Sequence, residues 1–313
     1  MTKLPKASFP ITKKIWFNGK LVNWHRAQIH VLTHALHYGS GIFEGLRFYE
    51  TTQGPAIFRL PEHVRRLFYS MQVLGLKIPF TQRDILAAIK ETVRINKVKS
   101  GYIRPIVFFD YGKMGLNPTG SKVQAVIACW PWGSYLGGEP IKVKVSKFIR
   151  LDPRSVISDA KVGGYYVNSI LASLDIKKAK YDEALLLDAR GYVAEGPGEN
   201  IFFVKKGILY TPKTGSILPG ITRDTIIKIA QDQKIKVREG DYKVKDFYAA
   251  EEVFFTGTAA EVQPIRLLDK QKIGNGKIGP VTEKLQEIYL KIVKGEVKKY
   301  QNWLTFVAKK PQR

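Results

Sequence analysis

The fold is decided by the stretch from Ala160 to Asn200, which begins Ala160-Lys161-Val162-Gly163-Gly164-Tyr165-Tyr166-Val167-Asn168-Ser169 and ends Tyr192-Val193-Ala194-Glu195-Gly196-Pro197-Gly198-Glu199-Asn200. Lys161 stands on a Gly-Gly loop beside aromatic residues, with no acidic neighbour closer than Asp159. Desolvation disfavours the ammonium ion and makes the amine available as a nucleophile, as in a Schiff-base lysine. Because the chain has 51 Lys+Arg, most of them solvated, this interpretation depends on the surrounding motifs.

The composition is that of an ordinary globular chain with an unusual charge. A length of 313 residues suits two domains, and 44% hydrophobic with 25% charged residues is typical of soluble proteins. The net charge of +24 would suit a nucleic-acid or membrane-surface partner. However, the lysines are scattered and no aromatic-basic recognition module accompanies them, so we expect no nucleic-acid partner.

Cysteine usage and hydropathy bear on the compartment. The single cysteine, Cys129, excludes an intrachain disulfide and a multi-cysteine zinc site, and we expect no metal. The N-terminal residues lack the apolar run of a secretory signal. No apolar stretch approaches the roughly 20 residues that span a bilayer. We therefore expect a cytoplasmic protein without a membrane partner.

The first part of the chain reads as a small domain of strands and helices. Asn18-Gly19 predicts a hairpin, Pro61 the start of a helix, and Thr81 with Asp84 the capped start of another. A Gly/Pro-rich stretch with two tryptophans then marks a domain boundary. We predict an N-terminal domain over residues 1–130, a linker over 131–138 and a larger domain over 139–313.

The second part continues with a helix from about Asn168, in which Ile170, Leu171 and Leu174 predict a buried side. Leu218-Pro-Gly-Ile-Thr222 leads directly into another helix, whose first backbone amides would form an anion cradle. The basic tail after about residue 295 is predicted to be helical.

Motifs along the chain, from Trp16 to about Trp303, resemble those of a branched-chain amino acid aminotransferase, a pyridoxal-phosphate enzyme of aminotransferase class IV, also called fold type IV. They are His34-Ala-Leu-His-Tyr-Gly39, Phe43-Glu-Gly45, Glu62-His-Val-Arg-Arg66, Tyr102-Ile-Arg104-Pro, Lys161-Val-Gly-Gly, Glu195-Gly-Pro-Gly-Glu-Asn200, Leu218-Pro-Gly-Ile-Thr-Arg223 and Gly257-Thr-Ala-Ala-Glu261. The resemblance implies a mixed α+β fold with a small N-terminal α/β domain and a larger C-terminal domain. The larger domain would have a β-barrel-like core, with the active site at the domain interface. The resemblance also implies a homodimer or homohexamer.

The resemblance implies pyridoxal 5′-phosphate as cofactor and Lys161 as the catalytic residue, which forms an aldimine and shuttles a proton. Glu195 would pair with the pyridine nitrogen and Tyr166 with the phenolic oxygen. The residues assigned to the phosphate are Arg66, Ile221, Thr222, Gly257 and Thr258. Tyr165 and Ala194 depart from the family, which often has Asn and Ser or Thr there, but neither departure removes a catalytic group.

The substrate pocket that the resemblance implies consists of Tyr38, Phe43, Gly45, Tyr102, Arg104, Trp132, Tyr135, Thr258, Ala259 and Ala260. On a pleated strand Arg104 shares a face with Tyr102, and we expect it to meet the far carboxylate of glutamate. The alternative is that Arg104 pairs with an acidic residue across the sheet.

The implied activity is ping-pong transamination of branched-chain L-amino acids (Leu, Ile, Val) with 2-oxoglutarate and glutamate. Alternatives within the fold are a D-amino acid aminotransferase, an R-selective amine transaminase and an aminodeoxychorismate lyase. A basic nucleic-acid-binding protein is the alternative outside it.

Overall fold

The computed structural model describes residues 7–133 and 136–308. These residues form two compact units. The first unit contains residues 7–133, 160–164 and 292–308, and the second contains residues 136–159 and 165–291. The short segment around Lys161 therefore belongs with the N-terminal residues.

Both units combine helices with sheets. The strands are β1 Lys14–Phe17, β2 Lys20–Asn23, β3 Gly41–Phe43, β4 Leu46–Thr51, β5 Gly54–Phe58, β6 Gly101–Phe109, β7 Val123–Trp130, β8 Ile141–Val145, β9 Glu183–Leu187, β10 Val193–Glu195, β11 Asn200–Lys205, β12 Ile208–Pro212, β13 Val237–Gly240, β14 Glu252–Gly257, β15 Glu261–Leu268, β16 Gln271–Lys272 and β17 Leu304–Phe306. The α-helices are α1 His34–Tyr38, α2 Leu60–Leu74, α3 Gln82–Asn96, α4 Tyr166–Lys178, α5 Ile221–Asp232, α6 Val244–Tyr248 and α7 Pro280–Val293. None of the helices in the described part of the chain is long and apolar enough to cross a membrane.

The first unit is built on an eight-stranded sheet with the order β17-β5-β4-β6-β7-β1-β2, and β3 pairs with β6. The hairpin of β1 and β2 turns at Asn18 and Gly19, which both have positive φ, as the Asn-Gly pair predicts. Helix α2 begins with a proline in its first turn, and α3 begins with a reciprocal capping box between Thr81 and Asp84. The sequence signals for these three elements are confirmed.

The C-terminal residues return to the first unit as a strand, so the predicted helical tail is wrong there. A 3₁₀ turn over Lys298–Trp303 precedes β17, which pairs antiparallel with β5. The Arg59 amide donates to the Trp303 carbonyl at 2.7 Å, and the Arg59 guanidinium lies over the indole ring. An edge strand with unpaired backbone groups is a better partner for this segment than solvent.

The second unit is built on a nine-stranded sheet with the order β10-β9-β8-β15-β14-β11-β12-β13, and β16 pairs with β15. The amide of Val193 on β10 donates to the carbonyl of Tyr242, just after β13, at 2.8 Å. The two ends of the sheet therefore approach each other, and the sheet curls as a half-barrel around an apolar core. Phe202 and Phe254 stack across β11 and β14 at 5.2 Å between ring centroids.

Helix α4 presents its larger apolar side chains outward, contrary to the prediction from the sequence. Ile170, Leu171 and Leu174 are exposed, while Ala172 and Ile176 are buried. Small side chains let the helix approach β9 closely, so the bulky side of the helix faces away from the sheet. Exposed apolar side chains grouped on one helix face are typical of an interaction surface.

Glu183 opens β9 with a carboxyl group that is 5% exposed. Its Oε1 accepts a hydrogen bond from the Ala184 amide at 2.9 Å. Burial raises the pKa of Glu183 to about 7; the Ala184 hydrogen bond opposes this rise, and the charge of Asp182 adds to it. The folded chain therefore retains a proton there that the unfolded chain loses near the ordinary pKa of 4.5.

We expect the free energy of unfolding to fall as pH rises through this window, because the folded state binds the additional proton. Glu183→Gln cannot ionise, so its stability relative to wild type should increase between about pH 4.5 and 7 and then level off. Thermal unfolding at pH 5, 6, 7 and 8 measures this, with the exposed Glu50→Gln as control. A difference between Glu183→Gln and wild type that is constant with pH would contradict the assignment.

Candidate functional site

Backbone contacts fix the position of Lys161. Its amide donates to the Ser70 hydroxyl on α2 at 2.9 Å, and its carbonyl accepts from the Phe43 amide at 3.2 Å. The next residue, Val162, forms an antiparallel bridge with Ile42 on β3. The Lys161 Nζ lies 4.8 Å from the centre of the Phe43 ring. The lysine is thus anchored at its backbone, and its amine lies against an aromatic ring.

Two glycines allow this segment to approach the end of α1. The Gly164 amide donates to the Gly39 carbonyl at 3.1 Å. Gly39 has a φ of 62°, and a Cβ atom there would lie 2.7 Å from the Gly164 Cα. A side chain at Gly39 would therefore separate the two backbones and displace the Lys161 loop.

A buried carboxylate holds the Arg66 side chain. Arg66 Nε lies 2.5 Å from Glu44 Oε1, and Arg66 Nη2 lies 3.0 Å from Glu44 Oε2. His63, one turn earlier on α2, places Nδ1 2.7 Å from Glu44 Oε2. Burial raises the pKa of Glu44, but Arg66 and His63 outweigh it and hold that pKa well below its ordinary value. Glu44 is therefore an anion at neutral pH.

Arg104 lies among aromatic rings on β6. Its guanidinium carbon is 4.6 Å from the centre of the Phe43 ring and 5.5 Å from that of Tyr102, as the strand alternation predicts. Arg104 Nε is buried without a hydrogen-bond partner, and no carboxylate among the described residues forms an ion pair with it. An acidic partner across the sheet is therefore not what the described structure has. A partly buried cation of this kind suits a bound anion.

Two further predicted pocket residues pack around Tyr102. Trp132 contacts its ring edge to face, with centroids 4.7 Å apart and an interplanar angle of 89°. A Cβ atom at Gly45 would lie 1.8 Å from the Tyr102 hydroxyl, so only glycine leaves room for that ring. The structure thus groups Phe43, Gly45, Tyr102, Arg104 and Trp132 in the first unit.

The two remaining predicted tyrosines of this pocket are placed differently. Tyr38 is half-exposed at the end of α1, and its hydroxyl accepts a hydrogen bond from the Gly115 amide at 3.3 Å. Its ring packs against His34, with centroids 4.5 Å apart. Tyr135 lies outside the described residues.

In the second unit, Glu195 is a buried carboxylate at the end of β10. Arg150 Nε lies 2.7 Å from its Oε1, and the Asn200 amide donates to its Oε2 at 3.1 Å. The Leu218 amide donates to both oxygens at 3.2–3.3 Å. These donors satisfy an ionised carboxylate and fix its direction. Such a group favours a cationic or N–H partner in a ligand.

The start of α5 provides backbone donors. Gly220 is the N-cap and makes no side-chain capping bond, and Ile221 and Thr222 are the first helical residues. The helix therefore begins two residues earlier than the sequence predicted. A Cβ atom at Gly220 would lie 1.9 Å from the Asn200 Oδ1, which requires glycine there. Amides at the positive end of a helix favour a phosphate or carboxylate.

The remaining predicted residues of the second unit lie at element ends. Gly257 ends β14, and Thr258, Ala259 and Ala260 form the connection to β15. A Cβ atom at Gly257 would lie 3.2 Å from the Gly198 carbonyl oxygen, so glycine keeps this connection close to the loop before β11. Tyr166 begins α4.

Residues 41–268 match the family model of amino-transferase class IV. The chain belongs to this family. This class IV aminotransferase is 48% identical over 297 residues to the branched-chain-amino-acid aminotransferase of Pseudomonas aeruginosa, with 94% of this chain and 97% of that protein covered. It is 42% identical over 302 residues to the enzyme of the same name from Escherichia coli strain K12, with 94% and 98% covered.

Solved structures agree with this membership in the family. The branched-chain amino acid aminotransferase of T.th., complexed with N-(5′-phosphopyridoxyl)-L-glutamate, superimposes with a TM-score of 0.93 at 46% identity. That comparison covers 95% of this chain and 99% of the other. The Escherichia coli enzyme superimposes with a TM-score of 0.93 at 41% identity, with 95% and 100% covered. The mixed α+β fold of type IV that the sequence predicted is confirmed.

Four residues of this class IV aminotransferase escaped the sequence reasoning, namely Glu44, His63, Ser70 and Arg150. Glu44 and His63 lie inside motifs that were noticed for their neighbours Phe43 and Arg66, so an ionisable residue within each motif was the available signal. Arg150 had no such signal, because it lies far from Glu195 in the sequence and among many other basic residues.

We expect Arg150→Met to destabilise the ligand-free chain by about 3–5 kcal/mol, because Glu195 would remain buried without its cationic partner. Arg150→Met with Glu195→Gln should be less destabilised than Arg150→Met alone, since no buried charge is left. Urea unfolding at pH 7 measures both.

The control is Arg154→Met, whose guanidinium is 84% exposed although it also pairs with a carboxylate, Asp152. It should leave stability nearly unchanged. Equal losses for Arg150→Met with and without Glu195→Gln would show that the packing of Arg150, not its charge, matters.

Proposed function

We propose that this chain transfers amino groups between branched-chain L-amino acids (Leu, Ile, Val) and 2-oxoglutarate with pyridoxal 5′-phosphate as cofactor. The relatives that support this are named branched-chain-amino-acid aminotransferases, and one solved relative carries a phosphopyridoxyl-glutamate adduct. The observation that carries the proposal is the Phe43 ring, which has the Lys161 amine 4.8 Å and the Arg104 guanidinium 4.6 Å from its centre. A nucleophilic amine and a carboxylate-binding cation thus lie around one apolar surface.

The residues present fit this cofactor. Lys161 supplies the amine that an aldehyde requires, and Glu195 supplies a buried carboxylate that Arg150 keeps ionised. The amides at the start of α5, together with Arg66, suit a phosphate dianion. When bound, the cofactor supplies an aldehyde for the amino group and an electron-withdrawing ring beside the substrate Cα.

We assign residues of both units to this one cofactor. The Lys161 amine moves the proton at the substrate Cα, as a general base and then as a general acid. Glu195 holds the proton at the pyridine nitrogen, and the Tyr166 hydroxyl donates to the phenolic oxygen. The residues that hold the phosphate are Arg66, Ile221, Thr222, Gly257 and Thr258.

The aromatic rings of the first unit suit both kinds of substrate. Phe43 and Trp132 offer apolar surface to a branched side chain, to which we add Tyr38 and Tyr135. When glutamate or 2-oxoglutarate binds, its far carboxylate pairs with Arg104. When leucine binds, the rings beneath the guanidinium offset part of the cost of a buried cation. We assign the α-carboxylate to Tyr102 and to the connection formed by Thr258, Ala259 and Ala260, with Gly45 as part of the wall.

The reaction is ping-pong, because one amino acid must leave as a 2-oxo acid before the second oxo acid enters. We also propose that the chain assembles as a homodimer or homohexamer in the cytoplasm. The exposed apolar side of α4, Val167, Ile170, Leu171 and Leu174, supports an assembly that covers it. The D-amino acid and R-selective amine alternatives are less well supported, since the relatives named above are branched-chain enzymes.

We expect Lys161→Ala to abolish transamination while the chain still folds, because its backbone contacts to Ser70 and Phe43 do not require the side chain. Turnover of leucine with 2-oxoglutarate should fall by several orders of magnitude. Circular dichroism checks the fold, and the exposed Lys99→Ala is the control. Appreciable turnover by pure Lys161→Ala would contradict the assigned role.

Arg104→Met should impair the half-reaction with glutamate far more than the half-reaction with leucine. Loss of a charge-assisted pair with the far carboxylate costs roughly 1.5–3 kcal/mol, or about tenfold to a hundredfold in rate. Leucine makes no such pair. Single-turnover absorbance changes with each amino acid alone measure the two rates.

The control for Arg104→Met is Arg65→Met on α2, whose side chain is 62% exposed. Arg65→Met should leave both half-reactions unchanged. Equal losses for glutamate and leucine in Arg104→Met would mean that Arg104 serves the α-carboxylate or the fold instead.

A further inference from the structure

The buried group of Glu44, His63 and Arg66 contains a carboxylate with no role in the function proposed above. Glu44 is 1% exposed and lies directly on Arg66, the arginine assigned to the cofactor phosphate. By charge alone, a fixed anion at this position weakens the binding of a phosphate dianion. Some other effect must therefore favour a glutamate at this position.

The geometry of the ion pair supplies that effect. Glu44 occupies the edge of the guanidinium that carries Nε and Nη2, at 2.5 and 3.0 Å. A guanidinium is a planar fork, so fixing one edge also fixes the direction of the opposite edge, which carries Nη1. An arginine side chain otherwise loses rotational freedom when it binds a ligand. Glu44 removes that freedom before the ligand arrives.

His63 fixes the carboxylate in turn. Its Nδ1 lies 2.7 Å from Glu44 Oε2, and a carboxylate only accepts, so Nδ1 carries the proton. Burial lowers the pKa of His63 below its ordinary value although Glu44 raises it, and the nearby charges of Arg66 and Lys161 lower it further. A neutral His63 completes the hydrogen bonds of Glu44 without adding a second positive charge.

We propose that Glu44 and His63 are positioning residues that hold Arg66 in the orientation that receives the cofactor phosphate. This inference rests on the proposed function, because it requires that pyridoxal 5′-phosphate is the ligand. Glu44 orients the guanidinium, and His63 orients Glu44. Neither residue touches the phosphate.

The sign of the change in affinity separates positioning from charge. Glu44→Gln removes the anion and one acceptor of the bidentate pair, while Glu44→Asp keeps the anion but is too short to reach both nitrogens. Positioning predicts that both variants raise the Kd for pyridoxal 5′-phosphate, by about tenfold or more. Charge alone predicts a lower Kd for Glu44→Gln and an unchanged Kd for Glu44→Asp.

The second comparison uses pyridoxal, which lacks the phosphate. Absorbance titration of the ligand-free chain gives a Kd for each compound, and we expect the Kd for pyridoxal to change by less than about twofold in both Glu44 variants. Glu50→Gln, an exposed glutamate of the same unit, is the matched control. Melting temperatures of the ligand-free variants monitor the fold.

Substitutions of His63 keep the test decisive if a Glu44 variant does not fold. His63→Phe removes the donor to Glu44, and His63→Asn retains a donor near the position of Nδ1. We expect His63→Phe to weaken binding of pyridoxal 5′-phosphate but not of pyridoxal, and His63→Asn to restore most of the loss.

The inference is overturned if Glu44→Gln binds pyridoxal 5′-phosphate as tightly as wild type or more tightly. It is also overturned if pyridoxal and its phosphate lose affinity equally, or if His63→Asn and His63→Phe behave alike. A wild-type chain that binds neither compound would overturn the proposed function itself, and with it this inference.

Discussion

The backbone pairing between the Lys161 loop and the residues around β3 is the constraint on which the rest of the site depends. The Lys161 amide and carbonyl bond to Ser70 and Phe43, and the Gly164 amide bonds to Gly39. Main-chain groups have little freedom once both partners are in regular structure. The lysine amine is therefore placed by groups that take no part in chemistry, which leaves its side chain available for reaction.

Each unit contains one buried ion pair between a carboxylate and an arginine, Glu44 with Arg66 and Glu195 with Arg150. Such pairs contribute little net stability, because desolvation offsets their attraction, but they hold planar groups in one orientation. The roles within the pairs are reversed. In the first pair the carboxylate supports the arginine assigned to the ligand, and in the second the arginine supports the carboxylate.

The sequence predicted the elements whose signals are local. The Asn-Gly hairpin, the Thr81 capping box and the alternation that places Arg104 beside Tyr102 depend on neighbouring residues, and all three are observed. It did not predict β17, because that strand forms only where a distant edge accepts it. The exposed side of α4 was misread for a related reason: helical periodicity identifies an apolar side but not what covers it. The site residues supplied by the resemblance included the ligand-facing groups and omitted the groups that support them.

The late pairing of β17 with β5 has a consequence for synthesis of the chain. Residues 7–133 emerge from the ribosome with the β5 edge unpaired, and the whole second unit must be made before β17 appears. At roughly 5–20 residues per second, this edge waits about 10–30 s for its partner. An unpaired strand edge is a template for aggregation. Nascent chains of this protein therefore depend on protection of that edge, and truncations that remove β17 expose it permanently.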